Sequence, residues 1–167
     1  RMGNLINGIL EYSRIGRMNQ VNEEINLNEF LPQISDFNCD KENVFINIAP
    51  NMPIILSQKI GIQQIFQNLI SNAIKYNDKS QCYINIDFQE FRNYYQFCVK
   101  DNGPGIHKAY HEKVFQIFQI LEPRDNVEST GVGLSIVKKQ VENLGGQVWI
   151  ESEEGQGATF HFTLLKN

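Results

Sequence analysis

The most periodic stretch of the chain runs from Lys59 to Tyr76, where Ile62, Ile65, Phe66, Leu69, Ile70, Ala73 and Ile74 recur at three- and four-residue spacing. That period predicts a long helix with a wide apolar face, hence a core helix. Residues 2 to about 18 repeat the pattern with Met2, Leu5, Ile9, Leu10, Tyr12 and Ile15. A second amphipathic helix is expected there, with no obvious partner for its stripe within the chain. The polar, Asn-rich stretch that follows reads as a linker into a short strand at Ile25 to Leu27, and Asn28 is placed to cap a helix through about Phe37. Small residues then open another helix from Gly131 to Leu144, ended by Gly145 and Gly146.

Strict alternation marks the strands. VFINIA at 44 to 49 has period two, and Pro50 and Pro53 bound the connection after it. Residues 82 to 91 and 94 to 101 alternate on either side of Arg92 and Asn93, which predicts an antiparallel hairpin. QVWIES and ATFHFTLL, separated by the turn-rich EEGQG, predict another. Residues 107 to 128 are polar and punctuated. Hairpin strands with helices interspersed, rather than strictly alternating, imply an α+β arrangement: a mixed, mostly antiparallel sheet with helices on one face, plus an N-terminal helix.

Composition narrows the options. With 167 residues and 41% hydrophobic content, one domain with a substantial core is expected, plus an appendage: residues 1–20 and a domain at 21–167. Nineteen acidic against fifteen basic residues, with no block of one sign, give no electrostatic case for nucleic acid. No apolar run is long enough to span a membrane, so no membrane contact by this segment is expected. Cys39, Cys82 and Cys98 are odd in number and lack CxxC spacing, which fits a reduced, cytoplasmic setting, although the parent protein could still be membrane-anchored.

Three segments carry candidate chemistry. In QNLISNAIKY, Asn68, Asn72 and Lys75 share one helical face, with Tyr76 beside them. Amide oxygens can ligate Mg²⁺, and a lysine offers a point charge to phosphate; a merely solvated helix face is the alternative. In KDNGPGI, Asp101 ends a strand and two glycines allow close backbone approach by a ligand, although DNGPG is also simply a good turn. In STGVGLSIVKK, Gly131 and Gly133 clear the start of a helix whose backbone N–H groups could receive phosphate. It is neither a Walker A loop, because no GK[ST] follows, nor a dinucleotide fingerprint.

In this order the three segments resemble the N, G1 and G2 boxes of the histidine-kinase-type ATPase superfamily, which also holds gyrase, Hsp90 and MutL. KVFQIFQIL is similar to the F box between G1 and G2. The resemblance covers about residues 25 to 165 and implies a two-layer α/β sandwich that binds ATP with Mg²⁺ under a lid spanning roughly Gln119 to Thr130. It implies Asn72 as the Mg²⁺ ligand, Asn68 as its companion, and Lys75 and Tyr76 as phosphate and nucleoside contacts. Asp101 would receive the adenine amino group, with Gly103, Gly105 and Ile106 about the base. Thr130, Gly131, Val132, Gly133 and Leu134 would form the phosphate end, and Phe115 and Phe118 would anchor the lid. Three departures stand out: Ser129 where a glycine is common, Ile120 where a basic residue often follows the F box, leaving Arg124 as the lid cation, and Gln58 in place of a capping Asp.

ILEYSRIGR resembles the end of a histidine kinase dimerisation helix, which implies a homodimer in the full-length protein and a response regulator receiver domain as partner. His107, His111 and His161 are read as ordinary surface or edge residues, so the phosphate acceptor is expected outside this sequence. In gyrase- and MutL-type ATPases a glutamate stands at the position of Asn68 and can activate water. An amide cannot, which favours transfer to a protein side chain and makes Asn68, Lys75 and Arg124 the candidate catalytic residues. A conformational ATPase and a nucleotide-binding module without catalysis remain the alternatives.

Overall fold

The computed structural model describes residues 2–16, 21–38, 42–116 and 132–166, with the side chains of 2–5 and 38 left out. Phe118, Arg124, Thr130, Gly131, the expected lid, Ile120, Ser129 and Cys39 therefore lie outside the described residues. The element order is α1 (Met2–Arg14), β1 (Glu23–Asn26), α2 (Leu27–Asn38), β2 (Val44–Ile48), β3 (Ile54–Ser57), α3 (Lys59–Lys75), β4 (Cys82–Glu90), β5 (Tyr94–Asp101), two 3-10 turns at Lys108–Tyr110 and Lys113–Phe115, α4 (Gly133–Asn143), β6 (Val148–Ser152) and β7 (Ala158–Leu165).

Five strands form one sheet in the order β2-β4-β5-β7-β6. Only β2 and β4 run parallel; the other neighbours are antiparallel, including the two expected hairpins β4–β5 and β6–β7. Alternation decides which face is covered. Ile84, Ile86, Phe97, Val99, Phe160 and Phe162 are buried, whereas Tyr83, Asn85 and Asp87 between them are exposed. α3 lies on the buried face, with Phe66 edge-on to Phe97 and Phe162 at ring separations of 5.8 and 5.3 Å. The helix stripe read from the sequence, Ile62 through Ala73, is buried there. Emptying the Phe66 site would cost about 3 to 5 kcal/mol, so α3 is fixed to the sheet. The mixed two-layer arrangement with helices on one face and an N-terminal helix matches the expected fold.

Two local expectations are corrected. Asn28 does not cap α2: the helix starts at Leu27, and Asn26 Oδ1 accepts the Asn28 N–H at 3.1 Å, so Asn26 is the cap. The Asn28 side chain instead clasps Met52, donating to its carbonyl at 2.6 Å and accepting its N–H at 2.8 Å. Residues 54–57, to which the pattern assigns no element, form β3, which pairs with β1 in a separate two-stranded sheet. Four residues between a proline and a helix start are too few to display a period.

Part of the α1 stripe also finds a partner. Tyr12 and Ile15 pack on Val132 and Ile136 of α4, and Lys139 Nζ donates to the Tyr12 carbonyl at 2.9 Å while lying 4.2 Å from its ring centre. Ile6, Ile9 and Leu10 stay exposed. Among the described residues, no helix is long and apolar enough to cross a membrane.

Candidate functional site

The site grows from the ends of β5, α3 and the start of α4. Phe97, Val99 and Asp101 fall on the same face of β5 by period two, so the carboxylate ends a row of buried side chains and points toward the helix layer. Its Oδ1 accepts the N–H groups of Gly103 at 2.8 Å and Ala158 at 3.3 Å. Oδ2 carries no hydrogen bond among the described residues. Burial pushes the Asp101 carboxyl above its ordinary value, and the two N–H bonds pull it back in part. The result is a fixed, half-buried carboxyl with one oxygen committed and one available.

The turn after Asp101 is held from both sides. Asn102 Oδ1 accepts from Asn77 Nδ2 at 2.8 Å and from the Tyr83 N–H at 2.9 Å, while its Nδ2 donates to the Gln81 carbonyl at 2.9 Å. Gly103 is buried over the Tyr76 carbonyl, so the turn is docked on the end of α3. On the other side the β6–β7 turn backs it. Ser152 Oγ accepts the Ile106 N–H and donates to the Gly157 carbonyl, and the Gly155 N–H reaches the Pro104 carbonyl at 2.6 Å. Gly105 and Gly157 both have positive φ, 76° and 78°. A Cβ on Gly105 would stand 2.1 Å from the Glu153 carbonyl oxygen, and one on Gly157 2.2 Å from the Asp101 carbonyl oxygen. The demand for glycine at these two positions thus comes from backbone meeting backbone.

At the other end of the site, Asn68 Nδ2 donates to the Gln64 carbonyl at 2.7 Å. Its Oδ1 faces Gly133, 3.2 Å from where a Cβ would be. Asn72 lies one turn further along α3, about 6 Å on, then exposed Lys75, and Tyr76 at the helix end. Val132 is the N-cap of α4, 1% exposed and packed on α1, and half-buried Gly133 follows it as the first residue of the helix. Leu134 and Ile106 pack at the edge of the core. Phe115 is buried against Phe160. The structure therefore brings Asn68 to Gly133 at one end, and Asp101, Gly103, Gly105 and Ile106 together at the other, with α3 alongside both. Gln58 stands at the start of α3 without a side-chain capping bond.

Asn77, Asn102, Ser152 and Gly157 escaped the sequence reading. They shape the Asp101 turn from positions far apart in the chain, and the turn-rich EEGQG was the one local signal among them. His161 is also corrected. It lies on an interior strand, 14% exposed and stacked under Trp149 with ring centres 5.3 Å apart, and is not an edge residue.

Among the described residues, no group of three or more His, Cys, Asp or Glu side chains is placed to hold a metal. A cation beside Asn68 and Asn72 would meet neutral amide oxygens and need water or phosphate oxygens to complete its shell, which suits Mg²⁺ brought with a nucleotide.

A two-layer sandwich that sets a half-buried carboxyl beside the end of α3 and a glycine-opened helix start against Asn68 has the arrangement of a nucleotide-binding domain. The chain belongs to the histidine kinase-, DNA gyrase B- and HSP90-like ATPase family, whose model matches residues 57–167. It is 40% identical over 169 residues to cyanobacterial phytochrome B of Nostoc sp., covering 98% of this chain and 22% of that protein. It is 32% identical to the methanogenesis regulatory histidine kinase FilI of Methanothrix harundinacea, covering 98% of this chain and 19% of that one. The chain thus spans about a fifth of the length of these curated relatives. Its fold is shared with full-length ShkA in complex with AMPPNP, at a TM-score of 0.81 and 24% identity, covering 98% of this chain and 36% of that one. It is also similar to the histidine kinase ThkA in complex with the response regulator TrrA, at a TM-score of 0.79 and 25% identity, covering all of this chain and 48% of that one.

Proposed function

We propose that this chain is the ATP-binding catalytic domain of a sensor histidine kinase, joined to the end of its dimerisation helix, with residues 1–20 and 21–167 as the two parts. The observation that carries the reading is Asp101: a rigid, half-buried carboxyl with Oδ1 committed to two backbone N–H groups and Oδ2 available to the adenine amino group. Gly103, Gly105 and Ile106 border the base, and Tyr76 the nucleoside. Asn72, with Asn68, supplies the amide oxygens that suit Mg²⁺, which when bound would offset phosphate charge. Lys75 faces the phosphates with a point charge, Val132, Gly133 and Leu134 present the start of α4, and Thr130 and Gly131 are assigned to the same phosphate contact. Phe115 and Phe118 anchor the lid, which carries Arg124.

Such a site acts mainly by positioning. A histidine nitrogen attacks the γ-phosphorus in line; the N–P bond forms as the bond to the ADP oxygen breaks. Asn68 cannot take a proton from water, so hydrolysis lacks the base that a glutamate at this position would supply. The acceptor histidine lies on another helix, and the phosphoryl group passes on to a response regulator receiver domain. The exposed α1 stripe of Ile6, Ile9 and Leu10 supports pairing with dimerisation helices. Under the same proposal the domain lies in the cytoplasm, whether or not the parent protein is membrane-anchored.

The test is labelling with γ-labelled ATP. Alone, the chain should bind ATP, hydrolyse it very slowly and stay unlabelled; a longer protein that includes the acceptor helix should gain acid-labile phosphate. Label on this chain alone would place the acceptor among His107, His111 and His161 and refute the scheme. Brisk turnover would favour the conformational ATPases.

A further inference from the structure

Gln140 is a polar residue in an apolar setting. It lies on α4, two turns from Gly133, 4% exposed between buried Val137 and Val141. Its Nε2 donates to Gln64 Oε1 of α3 at 2.5 Å. Its own Oε1 is buried without a hydrogen-bond partner among the described residues, 3.1 Å from where a Cβ on Gly61 would stand. An orphaned buried oxygen destabilises a fold, and a leucine would fill the same space without that penalty. Retaining an amide there points to a role other than stability.

The role follows from what Gln64 holds. Its backbone carbonyl takes the Asn68 Nδ2 bond, which leaves Asn68 Oδ1 as the end of that amide facing Gly133. Where that oxygen sits relative to the start of α4 depends on the register between α3 and α4. Apolar contact between two helices is non-directional and tolerates sliding, whereas a buried hydrogen bond does not.

We propose that Gln140 and Gln64 are positioning residues: their bond across the α3–α4 interface sets the register that places Asn68 Oδ1 opposite the first turn of α4, tuning the phosphate and metal end of the site. This rests on the nucleotide reading above.

The test combines melting curves with titrations of Mg·ATP, and of ATP in EDTA, on the parent chain and on Gln140→Leu, Gln140→Met, Gln64→Met and the double variant Gln64→Met/Gln140→Met. Gln140→Leu should melt at the parent temperature or above it, yet bind Mg·ATP about fivefold more weakly, the equivalent of one hydrogen bond. Metal-free ATP should change less. Gln140→Met, which keeps the length of the side chain, should show the same split, and the double variant should lose no more than either single, because both remove one bond. Unchanged Mg·ATP affinity in the single variants, equal losses with and without metal, or losses that add in the double variant would each overturn the proposal. The parent titration separates the two failures: no Mg·ATP binding there defeats the nucleotide reading, whereas parent binding with unchanged variants defeats the register proposal alone.

Discussion

Asp101 ends β5 on the face that carries Phe97 and Val99, and its carboxyl sits where the strand gives way to the glycine turn. Two N–H groups hold one oxygen, and burial raises the carboxyl above its ordinary value. A carboxyl raised by folding stabilises the folded state below its unfolded pKa, and that contribution is lost as pH rises through the folded value. At neutral pH the ionised Asp101 is therefore a cost to stability. Asp101→Asn keeps an oxygen for Gly103 and Ala158 but turns an N–H toward the adenine amino group, donor against donor. The variant should melt no lower than the parent at pH 7, with its advantage shrinking as pH falls through the raised Asp101 value. Its ATP affinity should drop about ten- to hundredfold, the equivalent of one hydrogen bond to a charged group. Melting curves across pH with parallel titrations decide this; a variant that melts lower and binds ATP normally would reduce Asp101 to a turn residue.

At the scale of elements, the long-period helix α3 and both hairpins followed directly from the residue pattern, since each shows several repeats. β3 and the capping role of Asn26 did not, because a four-residue strand and a one-residue shift of cap leave too little pattern to read. The tie between the β6–β7 turn and the Asp101 turn was equally hidden, since it joins residues some fifty positions apart through backbone atoms and the Ser152 hydroxyl. It has a testable consequence. Gly157→Ala forces a side chain into positive φ and against the Asp101 carbonyl, whereas Gly155→Ala shares the positive φ, 81°, but meets nothing within 4 Å. The first should cost about 2 kcal/mol or more and weaken ATP binding; the second should cost about 1 to 2 kcal/mol and leave binding intact. Denaturant unfolding and titration of both variants check this, and equal effects on binding would mean that the two turns are not coupled.

For the molecule as a whole, the order of the boxes carried the functional class from sequence, while their convergence along α3 needed the fold. Asn68 and Gly133 lie far apart in the chain and meet only because α4 packs on α3. Asp101 and Gly157 meet only because β5 and β7 are neighbours. The proposed function requires an adenine pocket at Asp101. Guanine presents a carbonyl oxygen where adenine presents an amino group, and would face the carboxylate acceptor to acceptor. The most direct test is calorimetric titration of the parent chain with Mg·ATP and Mg·GTP under the same conditions. ATP should bind about tenfold or more tightly than GTP; equal affinities, or no binding of either, would contradict the assignment.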